Sequence, residues 1–243
     1  MGGGQLMIRA ILFDLDDTLL DRAEGFREFA ERLADRYADV SPEERPQWIK
    51  RLIELDERGY KSKPQLFREL LEQLPCRSNA GWEELYAFYD QEYVSSSRLM
   101  PGARELLAAL RPFYRLGIVT NGRDCIQRGK IERTGIGGWF ETITISESAG
   151  CKKPHPGIFA RALSQLGSSP EQTLFVGDHP VNDIQGAYFS GMKSVWLKHS
   201  QPWPNETAML PDAVITELSQ LPAAIRLVSG QTAASEYGLS SGA

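Results

Sequence analysis

Three aspartates stand within four positions directly after a short apolar run. The run is Ile11-Leu12-Phe13, and Asp14, Asp16 and Asp17 follow it. Such a run, bounded by polar residues, is typical of a buried strand, and open α/β sheets bind ligands beyond the carboxyl ends of their strands. Because side chains alternate along a strand, Asp14 and Asp16 are expected to face the same side. Two facing carboxylates repel each other, so the pattern predicts a site for a divalent cation such as Mg²⁺.

The simpler interpretation of this stretch is a helix start, because aspartate and threonine are common N-caps. A cap requires one side chain, whereas the sequence offers three aspartates and then Thr18. We therefore favour a site that does chemistry over a structural cap.

Composition narrows the class of protein. The chain has 243 residues, of which 42% are hydrophobic, and its formal net charge is −5. These values are typical of a globular protein, and the length suits one large domain or a core with a smaller domain. The negative charge argues against a nucleic-acid partner. No apolar stretch approaches the length of a membrane span, and the Gly-rich start has no signal-peptide core.

The cysteines indicate a reducing compartment. Cys76, Cys125 and Cys151 are odd in number, far apart and never paired as CxxC. This usage fits the cytoplasm better than a disulfide framework. We expect a cytoplasmic protein with no membrane partner, and the sequence contains no feature that sets an oligomeric state.

The order of elements predicts an α/β core interrupted by a helical insert. Apolar residues recur at helical spacing from Ala23 to about Val94, whereas strands alternate with helices from Pro101 onward. That alternation predicts a doubly wound parallel sheet of Rossmann-like type. We expect a core of residues 7–20 and 100–228, an α-helical cap of residues 21–99 and a disordered tail of residues 229–243. After the first strand, the predicted strands are Leu116–Thr120, Thr142–Ile145, Thr173–Val176, Ser194–Leu197 and Asp212–Ile215.

Polar residues follow later strands or loops as well. Thr120-Asn121-Gly122 ends one strand, and a hydroxyl with exposed amides can hold phosphoryl oxygens. Lys153, directly before Pro154, can offset phosphoryl charge. Asp178 ends another strand, and Asp183 lies five residues later. Taken singly, these features are also compatible with an Asn-Gly turn and a surface lysine.

Taken together, these motifs resemble those of the haloacid dehalogenase superfamily of hydrolases, whose phosphatases carry Asp-x-Asp-x-Thr. Here the first motif is Asp14-Leu15-Asp16-Asp17-Thr18, and the insert after it resembles the family's α-helical cap. The stretch from Thr120 through Gln127 and Lys130 resembles the branch with sugar-phosphate phosphatases and nucleotidases. His179-Pro180 departs from the pattern, because many members have serine and a small residue there.

The resemblance implies a role for each motif residue. It implies that Asp14 is the nucleophile, that Asp16 is the general acid and base, and that Mg²⁺ is the cofactor. The implied metal ligands are Asp14, Asp16 through its backbone carbonyl, and Asp178. Lys153 and Thr120, with Asn121 and Gly122, are implied to bind the phosphoryl group. Asp183 is implied to orient Lys153 or a metal-bound water.

The favoured interpretation is a Mg²⁺-dependent phosphatase that hydrolyses small phosphomonoesters, such as sugar phosphates or nucleoside monophosphates. A phosphomutase on the same fold is the nearest alternative, because it also forms an aspartyl-phosphate. A binding or regulatory protein without catalysis is the alternative from another class, and the complete set of acids and Lys153 argues against it. A dehalogenase is disfavoured because the dehalogenases have no acid at the position that matches Asp16.

Overall fold

The computed structural model describes residues 7–77, 80–199, 201–204 and 209–230. The chain divides into two compact units: one joins the segment up to Leu20 with the segment from Leu99 onward, and the other is Asp21–Arg98. The predicted tail lies outside the described residues from position 231. Its first residue, Ser229, is buried, and its N–H donates to the Ile225 carbonyl at 2.9 Å. Within the described ranges, no helix is long and apolar enough to cross a membrane.

The larger unit is built on a sheet of six parallel strands in the order β3-β2-β1-β4-β5-β6. The central strand, β1, has apolar residues facing both sides of the sheet. This explains why its sequence is a continuous apolar run rather than an alternating one. The strands are β1 Ala10–Phe13, β2 Arg115–Thr120, β3 Thr142–Ile145, β4 Thr173–Gly177, β5 Lys193–Leu197 and β6 Ala213–Ile215.

Helices cover both faces of this sheet, which confirms the predicted doubly wound α/β core. Ile11 and Phe13 of β1 pack in one apolar cluster with α5 (Ala103–Leu110) and α10 (Leu221–Val228). Leu12 lies in the cluster of the opposite face, with α8 (Pro156–Leu166) and α9 (Gly186–Phe189). The remaining helices of this unit are α6 Asp124–Thr134 and α7 Ser146–Ala149.

The unit Asp21–Arg98 contains four main helices and no strand among its described residues. The carboxylate of Asp21 caps the first helix by accepting from the Glu24 N–H at 3.0 Å. Aromatic side chains form much of the core, and the rings of Tyr89 and Tyr93 stack with centroids 4.7 Å apart. The helices are α1 Arg22–Tyr37, α2 Arg45–Leu55, α3 Lys63–Gln73 and α4 Trp82–Glu92. Its action as a cap stays a prediction.

Candidate active site

The first candidate residue, Asp14, directly follows β1 and is buried. Its N–H donates to the Val176 carbonyl at 2.9 Å, which continues the pairing of β1 with β4 by one residue. Its Oδ1 lies 2.5 Å from Nζ of Lys153, and its Oδ2 accepts from the Thr18 hydroxyl at 3.4 Å. The sheet thus fixes the backbone of Asp14, and Lys153 fixes its carboxylate.

Two more carboxylates lie after β4. Asp178 follows the strand directly, and its carbonyl accepts from the Trp196 indole N–H at 2.7 Å. Asp183 is brought back beside the strand end, where its Oδ2 accepts from the His179 N–H at 2.9 Å. A Cβ on Gly177 would overlap the Asp183 carboxylate. Glycine at that position therefore makes room for the second acid.

Lys153 joins this group as its cation. Its Nζ lies 2.7 Å from Oδ1 of Asp183 as well as 2.5 Å from Oδ1 of Asp14, and its side chain is only 3% exposed. Although burial lowers the pKa of Lys153, the carboxylates of Asp14 and Asp183 raise it above its usual range. Lys153 is therefore protonated at neutral pH, and its ammonium is shared between two carboxylates.

Burial and mutual repulsion make two of these carboxylates, those of Asp14 and Asp178, hard to ionise. Burial raises the pKa of Asp14 to about 7, an effect that Lys153 opposes and Asp183 strengthens. Burial, followed by the charges of Asp183 and Asp14, raises the pKa of Asp178 to about 9. Three carboxylates face a single ammonium, so full ionisation leaves an excess of two negative charges. A further cation at this position would stabilise the ionised group.

The acids at the two strand ends fit a magnesium ion. Asp14, Asp178 and Asp183 each offer an oxygen, and the three oxygens lie within 4.8 Å of one another. Oδ1 of Asp183 lies 2.7 Å from Nζ of Lys153. Within the described part of the chain, however, no donor is directed at this oxygen well enough to form a hydrogen bond. Hard oxygen donors with excess negative charge are what Mg²⁺ prefers. The predicted ligands Asp14 and Asp178 are thus brought together.

The carboxylate of Asp16 is not part of this group of three acids and is held by other side chains. Because β1 ends at Phe13, the alternation of a strand does not extend to Asp16, and the chain turns at Asp17, where φ is 58°. The Asp16 carboxylate instead accepts from the side chains of Lys130 and Gln127. This group consists of side-chain oxygens, whereas the ligand predicted for Asp16 is its backbone carbonyl, so that role stays a prediction.

Sequence reasoning missed the roles of Gln127 and Lys130. Both are buried on α6, and Lys130 lies four residues from Ile126 and from Thr134, which are also buried. A lysine on the inward face of a helix is a signal in itself, because buried lysines are nearly always paired. The spacing of Lys130 from Ile126 and Thr134 is enough to place it on that face.

The predicted phosphate loop after β2 is largely engaged inside the protein. The Thr120 hydroxyl is buried and accepts from the Gln127 amide at 2.8 Å. The Gly122 N–H donates to the Ser146 hydroxyl at 2.9 Å, and the Asn121 side-chain amide is bonded to the backbone of Lys153. The Gly122 N–H and the side chain of Asn121 are therefore engaged within the protein. Phosphoryl binding by the Thr120 hydroxyl and by the Asn121 backbone N–H stays a prediction.

The ring of His179 forms hydrogen bonds with the backbone that directly follows it. Its Nδ1 accepts from the N–H groups of Val181 and Asn182 at 3.1 and 3.0 Å, so its ring caps the turn that follows. Burial lowers the pKa of His179, which keeps its ring neutral and able to accept. The turn belongs to a π-helix, Pro180–Gln185, which is followed by α9. This wider turn contains Asp183.

Known proteins resemble this chain over most of its length. The model of the haloacid dehalogenase-like hydrolase family matches residues 8–188. The chain is 38% identical over 200 residues to the glyceraldehyde 3-phosphate phosphatase of Pyrococcus abyssi, a match that covers 80% of this chain and 83% of that protein. It is 30% identical over 220 residues to the pyrimidine 5'-nucleotidase YjjG of Escherichia coli, covering 87% and 95% of the two chains.

A solved structure agrees with the sequence relatives. The HAD-hydrolase YfnB of Bacillus subtilis, bound to magnesium, superposes with a TM-score of 0.70 at 26% identity, covering 90% of this chain and 99% of that chain. The sheet order, the acids after β1 and β4 and the match over residues 8–188 agree with one another. The chain belongs to the haloacid dehalogenase-like hydrolases.

Proposed function

We propose that the protein is a Mg²⁺-dependent phosphatase that hydrolyses small phosphate monoesters through an aspartyl-phosphate on Asp14. The observation that carries this proposal is the buried group at the ends of β1 and β4, in which Lys153 lies between Asp14 and Asp183 with Asp178 beside them. A nucleophile next to a fixed cation and two further acids suits phosphoryl transfer, where catalysis is mostly positioning and charge stabilisation.

In the first step, an oxygen of Asp14 attacks phosphorus and the bond from phosphorus to the ester oxygen breaks. Asp16 gives its proton to the departing oxygen, so the alcohol leaves as a neutral molecule. Lys153 donates to the phosphoryl oxygens as negative charge shifts onto them. Its sharing between Asp14 and Asp183 keeps the ammonium at the reacting centre.

In the second step, Asp16, now a carboxylate, takes a proton from water, and the water oxygen attacks the phosphorus of the aspartyl-phosphate. Inorganic phosphate leaves, and the Asp14 carboxylate and protonated Asp16 are restored. Asp14 and Asp178 would hold Mg²⁺, with Asp183 in reach of it or of its water. When bound, this ion neutralises phosphate charge and favours ionised Asp14.

The substrate is a small phosphorylated metabolite of the sugar phosphate or nucleoside monophosphate class. The names of the relatives, a phosphatase of glyceraldehyde 3-phosphate and a pyrimidine 5'-nucleotidase, support both classes. We assign selection between them to the unit Asp21–Arg98. The three free cysteines support a cytoplasmic location.

The test is phosphate release from a panel of sugar phosphates and nucleoside monophosphates, with added Mg²⁺ or with chelator. We expect release that requires Mg²⁺ and is lost in Asp14→Asn, because an amide oxygen is a poor nucleophile. Exposed Asp39→Asn serves as the matched control. Full activity in chelator, or an active Asp14→Asn, would contradict the proposal. Transfer of the phosphoryl group to another hydroxyl, without free phosphate, would instead indicate a mutase.

A further inference from the structure

Two buried polar side chains of α6 have no place in the mechanism above. Gln127 and Lys130 lie three residues apart, so they project from the same side of the helix. Both are almost fully buried, with exposures of 2% and 4%. Burying an amide and an ammonium is costly unless they are well bonded. Their partners are Thr120 and Asp16, which the proposed mechanism does use.

Gln127 connects these two partners directly. Its Nε2 donates to Oγ1 of Thr120 at 2.8 Å and to Oδ2 of Asp16 at 2.9 Å. In this arrangement the nitrogen of the amide, and not its oxygen, faces Asp16, whose Oδ2 accepts. An amide nitrogen carries two hydrogens, and the two bonds engage both.

The bond from Gln127 also decides what the Thr120 hydroxyl can do. Since Oγ1 accepts from the amide, its own hydrogen points elsewhere. Within the described residues, its acceptor is the Asn121 carbonyl at 3.5 Å, which is the limit for a hydrogen bond. A phosphoryl oxygen would be a better acceptor for this hydrogen. A Cβ on Gly122 would lie only 2.9 Å from Cγ of Gln127, so the loop packs closely on this side chain.

Lys130 restrains Asp16 from the next turn of the helix. Its Nζ is 2.8 Å from both carboxylate oxygens of Asp16. The lysine side chain is 5% exposed and that of Asp16 is 21% exposed, so the pair opens to solvent on the side of the acid. A buried ion pair is weak evidence for stability, because desolvation offsets the attraction. Its clear effect here is that both oxygens of Asp16 are held in one place.

We propose that Gln127 and Lys130 are positioning residues for the phosphatase reaction, which rests on the proposed function. Lys130 orients the carboxyl group of Asp16 for proton transfer to the departing oxygen. Gln127 supports Asp16 and also turns the Thr120 hydroxyl towards the phosphoryl group. Neither side chain touches the substrate, and together they couple leaving-group protonation to phosphoryl binding.

The test compares an alkyl phosphate with 4-nitrophenyl phosphate, whose leaving group needs little protonation. The variants are Lys130→Met, Lys130→Arg and Gln127→Leu, and exposed Glu132→Gln on the same helix is the control. In Lys130→Met we expect kcat for the alkyl ester to fall about 10- to 100-fold more than for the aryl ester, the range for losing hydrogen bonds to a charged group. KM should stay unchanged, and Lys130→Arg should recover most of the rate.

Gln127→Leu should show the same dependence on leaving group and also raise KM and the inhibition constant of inorganic phosphate about tenfold. Equal losses for the two esters, or unchanged alkyl turnover in Lys130→Met, would overturn the role of Lys130. An unchanged phosphate inhibition constant in Gln127→Leu would overturn the coupling to Thr120.

A crystal structure of Lys130→Met tests the positioning role of Lys130 without depending on phosphatase activity. We expect its Asp16 carboxylate to be rotated or spread over several positions, because its main restraint is gone. A carboxylate unchanged from that of the parent protein would overturn the inference even if no substrate were turned over. A parent protein that releases no phosphate from any substrate would refute the proposed function and leave this structural comparison valid.

Discussion

The side chain of Asn121 holds the backbone of Lys153 by two hydrogen bonds. Its Oδ1 accepts from the Lys153 N–H at 2.8 Å, and its Nδ2 donates to the Lys153 carbonyl at 3.1 Å. The amide thus ties the loop after β2 to the segment that carries the buried ammonium. Asn121 positions Lys153 at least as much as it lines a phosphate site.

Replacing Asn121 should therefore affect Lys153. In Asn121→Ala, both backbone groups of Lys153 lose their partner, so we expect the free energy of unfolding to fall by about 1–3 kcal/mol. We also expect kcat/KM to fall by about tenfold or more, because small misplacements of catalytic groups are costly. Denaturant unfolding and steady-state kinetics measure the two effects. Exposed Lys152→Ala is the control, and identical behaviour of the two variants would contradict the positioning role.

Lys152 and Lys153 form a matched pair for testing the buried ammonium. Lys153 is buried between two acids, whereas its neighbour is exposed. We expect Lys153→Met to lower kcat about 10²–10³-fold, the usual effect of removing a group that stabilises transition-state charge. Lys152→Met should stay close to the parent protein. Phosphate release by both variants measures this, and comparable losses would show that the two lysines were assigned wrongly.

The fold could be predicted from the sequence because its signals are local. The apolar run of β1, with no alternation, indicated a strand buried on both faces, and the alternation of elements after Pro101 indicated a parallel sheet. The carboxyl ends of parallel strands meet at one edge, so the meeting of Asp14 and Asp178 followed from the same pattern.

The partners of the acids could not be predicted because they depend on where elements end. Asp16 lies three residues beyond the end of β1, so the alternation of the strand does not decide its partners, which are Lys130 and Gln127 of α6. Asp183 reaches the other acids because the π-helix Pro180–Gln185 is wider than an α-turn and because Gly177 has no Cβ. These are tertiary effects that residue spacing does not contain.

The raised pKa values predict how stability depends on pH when no metal is bound. Burial and neighbouring charges raise the pKa of Asp14 to about 7 and that of Asp178 to about 9, from 3.8. Between pH 3.8 and each raised pKa, the folded state binds more protons than the unfolded state. The free energy of unfolding therefore falls as pH rises through this range. In chelator, we expect the melting temperature to decrease from about pH 5 to about pH 9 as these acids ionise.

Asp178→Asn removes one of these acids. It should distinguish the effect of Asp178 on stability without metal from its effect on Mg²⁺ binding. In chelator at about pH 8.5, we expect the variant to melt at a higher temperature than the parent, with a flatter dependence on pH. Added Mg²⁺ should raise the melting temperature of the parent and have little effect on the variant. Thermal melts at several pH values, with exposed Asp39→Asn as control, measure this. Equal stabilisation of both proteins by Mg²⁺ would place the ion elsewhere.

Asp16 separates phosphate-ester hydrolysis from the dehalogenation that named the family. Both reactions begin with attack by a nucleophile such as Asp14. A departing halide needs no proton because it is a weak base, whereas a departing alkoxide needs one, and the carboxyl of Asp16 can supply it. Dehalogenation also involves no phosphate dianion for a cation to neutralise. The repulsion among the acids at the ends of β1 and β4 would therefore be unfavourable without serving that reaction. We therefore expect hydrolysis of phosphomonoesters and no action on 2-haloacids.

Asp16→Asn tests this assignment, because the amide keeps the shape of the side chain but has no acidic proton to give. We expect turnover of alkyl phosphates to fall about 10²–10⁴-fold, the range for a general acid–base group, and turnover of aryl phosphates to fall less. Exposed Asp39→Asn, the same change at an aspartate outside the site, is the control and should keep most of the activity. The measurement is the turnover rate of both ester types in the parent protein, in Asp16→Asn and in the control variant. Equal losses for both esters would remove Asp16 as the acid, and Mg²⁺-independent release of chloride from a 2-chloroacid would overturn the phosphatase assignment.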